Sequence, residues 1–322
     1  MLKLVIAAIF IPSILFACET CAVYNSLDNQ RRLGNDTFLG IAYDYQLSDS
    51  DSTPDLLALQ GLSGETQSIE SHTTQIFANY FFDEKNSIQI NLPFIYRDFR
   101  RFDGNSYVSG SEEGIGDISL LYKYIPWQKY YSKFNYRSEL YAGLKLPTGD
   151  SDRLTEVEID TDERSLFRHG GPDGSLVGGD HLALGSGSYD FILGGGIYSQ
   201  YERFLLNFAV QAFLRTEGDH DYQFGNEINW FLSGGYYLWI EKAHSLAFNL
   251  RFSGQSKGQD EINGSRLADS QEFNLFLGPE IILSMGRNLI VQFAADFAVE
   301  NDDSETEVAA RRRFLSALTY RF

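Results

Sequence analysis

The feature that most restricts this chain is a two-residue alternation of apolar and polar side chains, renewed again and again after Asn35. A period of two sends successive side chains to opposite sides of an extended strand, so each stretch is a strand with one greasy and one wet face. In the clearest stretch Ile88, Ile90, Leu92, Phe94 and Tyr96 oppose Gln89, Asn91 and Arg97. Further on, Leu246, Phe248, Leu250 and Phe252 oppose Asn249, Arg251 and Gln255, and Leu289, Val291, Phe293, Ala295 and Phe297 oppose Gln292, Asp296 and Glu300. The pattern predicts twelve strands, at 36–47, 70–82, 86–101, 115–127, 133–147, 184–200, 203–217, 225–240, 243–255, 270–284, 288–300 and 307–322.

The connections between them alternate in length. Short ones fall at 83–85, 128–132, 201–202, 241–242 and 285–287; between them come 48–69, 102–114, 148–183, 218–224, 256–269 and 301–306, rich in Asp, Ser and Gly. A soluble sandwich buries its apolar faces against each other and gives turn lengths no reason to alternate. A membrane barrel has tight turns on its periplasmic side and longer loops outside. The fold class expected is therefore all-β: a transmembrane antiparallel up-and-down β-barrel of about 12 strands, with both termini periplasmic.

Composition agrees, with 25 Phe, 19 Tyr and 29 Gly against 7 Pro, a bias toward pleated surface over helix. Aromatic residues gather where the short turns meet the membrane surface: Phe81 and Phe82, Tyr124 and Trp127, Tyr130 and Tyr131, Tyr198 and Tyr201, Tyr236 and Trp239. This is the expected interfacial girdle. Phe322, Tyr320, Leu318 and Phe314 share one face of the last strand, resembling the C-terminal signature by which bacterial barrels are recognised for assembly. The barrel assembly machinery is an expected partner through Phe322, alongside outer-membrane lipid and lipopolysaccharide.

Residues 1–17, one Lys followed by an apolar run, have the layout of a secretory signal. The division expected is signal 1–17, a periplasmic segment or lumen plug at 18–34, and a barrel at 35–322. Cys18 and Cys21 form a CxxC next to the cleavage region, where lipidation of Cys18, a disulfide between the two, and removal with the signal stay open. A net charge of −18 excludes nucleic acid as a partner, because phosphate neutralisation needs clustered cations.

Asp44, Lys123, Arg137, Glu139, Arg251, Glu272, Glu280, Asp296, Arg311 and Arg313 fall on the wet face and are the pore-lining candidates, with Asp117, Lys145, Asp190, Arg215 and Arg321 beside them. Mixed signs fit ion pairs that brace the wall and also a selective constriction, with Arg311 and Arg313 facing Asp296 and the Asp44 side of the seam. Arg312 is expected to point outward toward lipid headgroups. In the acidic loop 148–183, Glu156, Glu158, Asp160 and Asp162 alternate as a weak candidate for calcium, without EF-hand spacing and with a solvated loop as the plainer reading. No other metal and no cofactor is expected.

Three segments resemble outer-membrane barrels named for the MetA pathway of phenol degradation: GlyIleGlyAspIleSerLeuLeuTyrLysTyr at 114–124, GlyLeuLysLeuProThrGly at 143–149 and LeuGlySerGlySerTyrAspPhe at 184–191. The resemblance implies a transporter-like channel for small, apolar or aromatic solutes. It covers roughly 114–322, and its glycines sit at strand ends, so its motifs read as architectural. The alternative is a non-enzymatic structural or docking barrel, such as the partner of a periplasmic redox protein. A lipase would need a Ser, a His and an orienting group on the outer wall; His169, His181 and His220 fall in outer loops, His244 at a turn and His72 at a strand start.

Overall fold

The computed structural model describes residues 37–50, 66–103, 105–157, 175–267, 270–301 and 308–322. The expected signal, Cys18, Cys21 and the 18–34 segment lie outside the described residues, as do Glu158, Asp160, Asp162 and His169.

Twelve antiparallel strands close into one ring. They are β1 (Phe38–Asp49), β2 (Ser68–Phe81), β3 (Asn86–Phe102), β4, β5 (Phe134–Lys145), β6 (Asp190–Tyr201), β7 (Phe204–Leu214), β8 (Glu227–Glu241), β9 (His244–Lys257), β10 (Glu272–Met285), β11 (Leu289–Asn301) and β12 (Ala309–Arg321). β4 comes in three pieces, Tyr107–Ile115, Ser119–Tyr124 and Gln128–Tyr130. Its first piece pairs with the outer half of β3, which leaves a short tip where the sequence predicts a loop over 102–114. Alternation is weak there because both faces of that hairpin meet polar surroundings above the hydrocarbon.

The seam pairs Phe38 with Arg321 and runs to Asp49 opposite Ala309. The backbone N–H of Phe322 adds a bond to the Thr37 carbonyl at 3.0 Å. Two-residue turns join β6 to β7 and β8 to β9, each opened by a left-handed residue, Glu202 or Lys242, a backbone twist that suits tight hairpins.

The exterior is apolar: Ile90, Leu120, Phe191, Leu206, Leu232, Leu250, Ile281, Phe293 and Leu318 are all exposed. A surface of this kind on a closed barrel belongs in lipid, where closure leaves no strand edge unpaired. Phe82, Tyr124, Trp127, Tyr130, Tyr131, Tyr201, Tyr236 and Trp239 are exposed near the short turns. Two members of the expected girdle are corrected: Tyr198 is buried and Phe81 packs against the buried Phe38 and Phe77 group. Both share parity with inward neighbours, Tyr198 with Asp190 and Ile192, Phe81 with Asn79 and Phe77.

Candidate functional site

The inward positions divide into a strand-borne lumen and a mouth held by loops. Low in the lumen, near the short turns, Glu139 lies 3.3 Å from Lys123 and 3.2 Å from Arg137, all three buried. Arg137 projects from β5 to within 5.8 Å of the Phe81 ring on β2. Midway up, Asp296 holds Arg313 at 3.1 Å and Arg251 at 3.5 Å. Arg313 donates to Ser253 of β9 at 3.3 Å and lies over the Phe276 ring of β10. Two arginines thus reach past their neighbouring strands and narrow the passage. Glu280 accepts from Asn249 at 2.5 Å and Gln292 at 2.7 Å.

A second component is apolar. Leu121, Tyr141, Ile192, Tyr198, Ala209, Phe213 and Phe231 form one buried cluster contributed by β4 to β8, an apolar strip facing the inside. Gly194 makes room for it, since a Cβ there would lie 2.4 Å from the Tyr141 hydroxyl. Beside it in strand order, β2 and β3 carry neutral amides: Gln89 donates to Asn91 at 2.6 Å, Asn91 donates to Ser119 at 2.8 Å, and Asn79 is buried with no hydrogen-bond partner among the described residues.

At the outer end the charges form an alternating chain across successive strands. Asp117 pairs with Lys145, Lys145 with Asp190 at 2.8 Å, Asp190 with Arg215 at 2.9 Å and Arg215 with Glu227 at 2.5 Å. Lys257, opposite both Glu227 and Glu272 in register, lies 3.3 Å from Glu272 and 3.0 Å from Asp260. Every one of these side chains is at least nine-tenths buried. Charges this dry persist only when paired.

This chain supports a lid. The loop expected to be solvated instead folds into the mouth through residues 150–157 and 175–189. Leu176, Val177, Leu182 and Ala183 are fully buried. Arg97 of β3 donates to the carbonyls of His181 and Ala183, the latter at 2.9 Å, and Arg101 pairs with Glu156 at 2.7 Å. One apolar cluster joins Ile69, Phe99, Leu176, Val177, Leu182 and Val308; another joins Leu154, Val157, Ala183, Tyr222, Phe224, Ile262 and Leu267. The physical reason is the loop's apolar minority, which burial over the mouth removes from water.

Asp117 ties the lid to the wall. Its carboxylate accepts from the backbone N–H groups of Thr148 (3.1 Å), Gly149 (2.9 Å) and Ser186 (3.0 Å), and from the Ser186 hydroxyl, while pairing with Lys145. The three segments that carry the family resemblance therefore converge on one carboxylate. Separately in sequence they read as strand ends; nothing local announces that they meet.

Two carboxylates of the mouth loops are pushed in opposite directions. Burial raises the Asp260 pKa above the usual carboxylate range, with nearby Asp180 adding to the rise and Lys257 and Tyr222 opposing it. For Glu156 burial also acts upward, but hydrogen bonds and charge from Arg101 and Arg153 outweigh it and lower the pKa. Glu156 is thus engaged by two arginines, while the other three members of the weak calcium candidate lie outside the described residues.

Asp44, Lys123, Arg137, Glu139, Arg251, Glu280, Asp296 and Arg313 sit at inward register positions, with Glu272 in the mouth chain. Arg311 does not join them. A register shift pairs Leu47 with Arg312 and Ser48 with Ala310, so Arg311 sits in the bulge and binds Asp49 at 2.8 Å. His72, expected at a strand start, lies within β2 facing outward. The Tyr43 hydroxyl, 2.7 Å from its Nδ1, is its only hydrogen-bond partner among the described residues.

Among solved structures the chain is similar to the COG4313 outer membrane channel from Pseudomonas putida F1. Identity is 15%, the TM-score is 0.58, and 89% of this chain and 96% of that one are covered. The fold is that of outer-membrane β-barrels. Looser likenesses are to the β domain of the Bordetella autotransporter BrkA, at 9% identity and a TM-score of 0.45 (89% and 99% covered), and to the CymD monoaromatic hydrocarbon channel, at 9% and 0.36 (96% and 94% covered). No family model and no curated protein matches the chain, so the resemblance to the phenol-pathway barrels rests on the three short segments.

Proposed function

We propose that this protein is an outer-membrane channel for passive passage of small solutes, closed at its outer mouth by the inward-folded lid. The observation that carries this reading is the lumen lining, which carries charged and amide side chains from the short turns to the mouth alongside one apolar strip. A barrel serving only as an anchor needs an apolar exterior and nothing more than packing inside. The orientation proposed puts the short turns and both termini in the periplasm, the arrangement usual for such barrels.

The apolar strip on β4 to β8, with amides beside it on β2 and β3, suits a solute with an apolar or aromatic body and a hydrogen-bonding group. The likeness to a Pseudomonas putida outer membrane channel supports passage as the activity, and the phenol-pathway resemblance supports this solute class. A structural or docking barrel is the second reading, favoured by the way Arg137 and Arg313 cross the lumen.

Planar-bilayer recording separates the two. Wild-type protein is expected to conduct in small or brief steps, and Asp117→Ala, which unties the lid, in larger and longer ones. If neither it nor the Asp117→Ala, Arg313→Ala double variant passes ions, the scaffold reading replaces the channel.

A further inference from the structure

Above the mouth chain lies a cleft of about 230 Å³ that the channel reading leaves unused. It opens between residues 223–226, which follow β7, and residues 258–266, which follow β9. Its floor is two glycines in backbone contact: a Cβ on Gly225 would lie 1.8 Å from the Gly258 carbonyl oxygen. Any side chain at that point would push the two segments apart.

The walls are fixed by bonds that leave selected polar ends over. Gly225 N–H donates to Asp260 at 2.7 Å and Gly258 N–H donates to the Asn226 carbonyl at 2.7 Å. A small three-stranded sheet of Tyr222–Gln223, Glu261–Ile262 and Ser265–Arg266 holds the far side. Asn226 accepts from the Arg215 N–H through Oδ1 and Gln223 donates to the Arg215 carbonyl; the Asn226 amide N–H₂ and the Gln223 side-chain oxygen have no partner among the described residues. The Gln259 carboxamide, which lines the cleft, has no hydrogen-bond partner among the described residues. At the rim Glu261 and Arg266 lie 3.2 Å apart and neutralise each other.

This set discriminates among ligand classes. An anion meets Glu261, a cation meets Arg266, and an apolar molecule would strip water from three planar amides without offering them a partner. Adjacent hydroxyls, each both donor and acceptor, satisfy amide N–H and C=O ends together. We propose that the cleft binds a single saccharide ring. Its position on the loop side would present it either to surface polysaccharide or to free sugar.

The test uses the full barrel in detergent and saturation-transfer NMR with glucose, galactose, mannose and N-acetylglucosamine, and with lipid-free lipopolysaccharide core oligosaccharide. Each is supplied at roughly 10 mM, which largely fills a millimolar site. Transfer to at least one probe is expected, falling at least about tenfold in Gln259→Leu, while the mobility shift of the folded barrel on gels stays unchanged. Arg266→Ala, at an exposed rim position, gives a second reading without touching the floor. A response to core oligosaccharide alone assigns the cleft to surface polysaccharide, and a response to free hexoses assigns it to solute capture. No transfer to any probe, or equal transfer in wild type and both variants, overturns the proposal. Because the readout is binding, it is independent of conductance.

Discussion

The lower lumen and the outer mouth bury similar charges by different means. Below, Lys123, Arg137, Glu139, Arg251, Asp296 and Arg313 stand on strands whose register leaves no choice of face. Slipping a strand by one residue would turn its whole polar set toward lipid. Above, the chain from Asp117 to Glu272 holds loop segments whose place depends on a few carboxylates and two apolar clusters. Strand-borne charges brace a wall that unfolds only with the barrel. Charges at the strand ends and in the loops above them hold a part able to leave while the barrel stays intact, as expected of a low-stability unit in an otherwise rigid frame.

Four substitutions break or sharpen that contrast. The largest effect is expected from Asp117→Ala, which leaves Lys145 with Asp190 as its one remaining carboxylate among the described residues and frees three backbone donors; losing one partner of a buried pair costs about 3–5 kcal/mol. Trypsin should then cleave after Arg153 at least about tenfold faster while the barrel keeps its folded gel mobility. Equal protection in wild type and variant would mean that wall and lid form one unit.

Next comes Gly194→Val, aimed at the lower wall. Its methyl groups meet the Tyr141 ring, and overpacking of this kind costs about 1–3 kcal/mol. Here the heating temperature needed to unfold the barrel should drop, with Arg153 as protected as in wild type.

A smaller change is expected with pH, and the two carboxylates Asp260 and Glu156 of the mouth loops give it opposite signs. Asp260 has a raised pKa, so its contribution is complete below the ordinary carboxylate range and fades as pH rises through its folded value. Glu156 has a lowered pKa, so its contribution is present above the ordinary range and is lost as pH falls through its folded value. Hydrogen exchange at the Gly225 N–H, which donates to Asp260, should quicken as pH rises beyond the intrinsic rate increase, and Asp260→Asn should abolish that excess. An excess that persists in Asp260→Asn assigns the effect to another group.

The smallest effect belongs to Arg311→Ala at the rim, where its partly exposed pair with Asp49 is worth about 0–1 kcal/mol. Unfolding and lid protection should both stay near wild type, and a large loss in either would place the bulge within the structure that holds the mouth.

Much of the strand-borne half was legible in the sequence, because parity along a strand encodes which way a side chain points. The same rule, applied without the pull of an aromatic girdle, puts Tyr198 and Phe81 inside. Arg311 was misread because a bulge changes parity locally, and no residue in AlaAlaArgArgArg marks it. The lid was hidden by its own composition. A loop dominated by Asp and Glu reads as solvated, and a scattered apolar minority that includes Leu154, Val157, Leu176, Val177 and Leu182 is all that hints it seeks cover. Convergence of three glycine-rich segments on Asp117 is a tertiary event, with partners about 30 to 70 residues away, beyond the reach of periodicity.

The seam has one more consequence. β1 gains its second neighbour only when β12 arrives, and β12 is the last strand of the ring in chain order. Until then the nascent sheet has two open edges, each able to recruit a stray strand. Ring closure is therefore a contact of nearly the greatest sequence separation this chain permits, the kind that forms slowly. The unpaired interval must be spent under escort, and a chain cut short before Ala309 would never leave it.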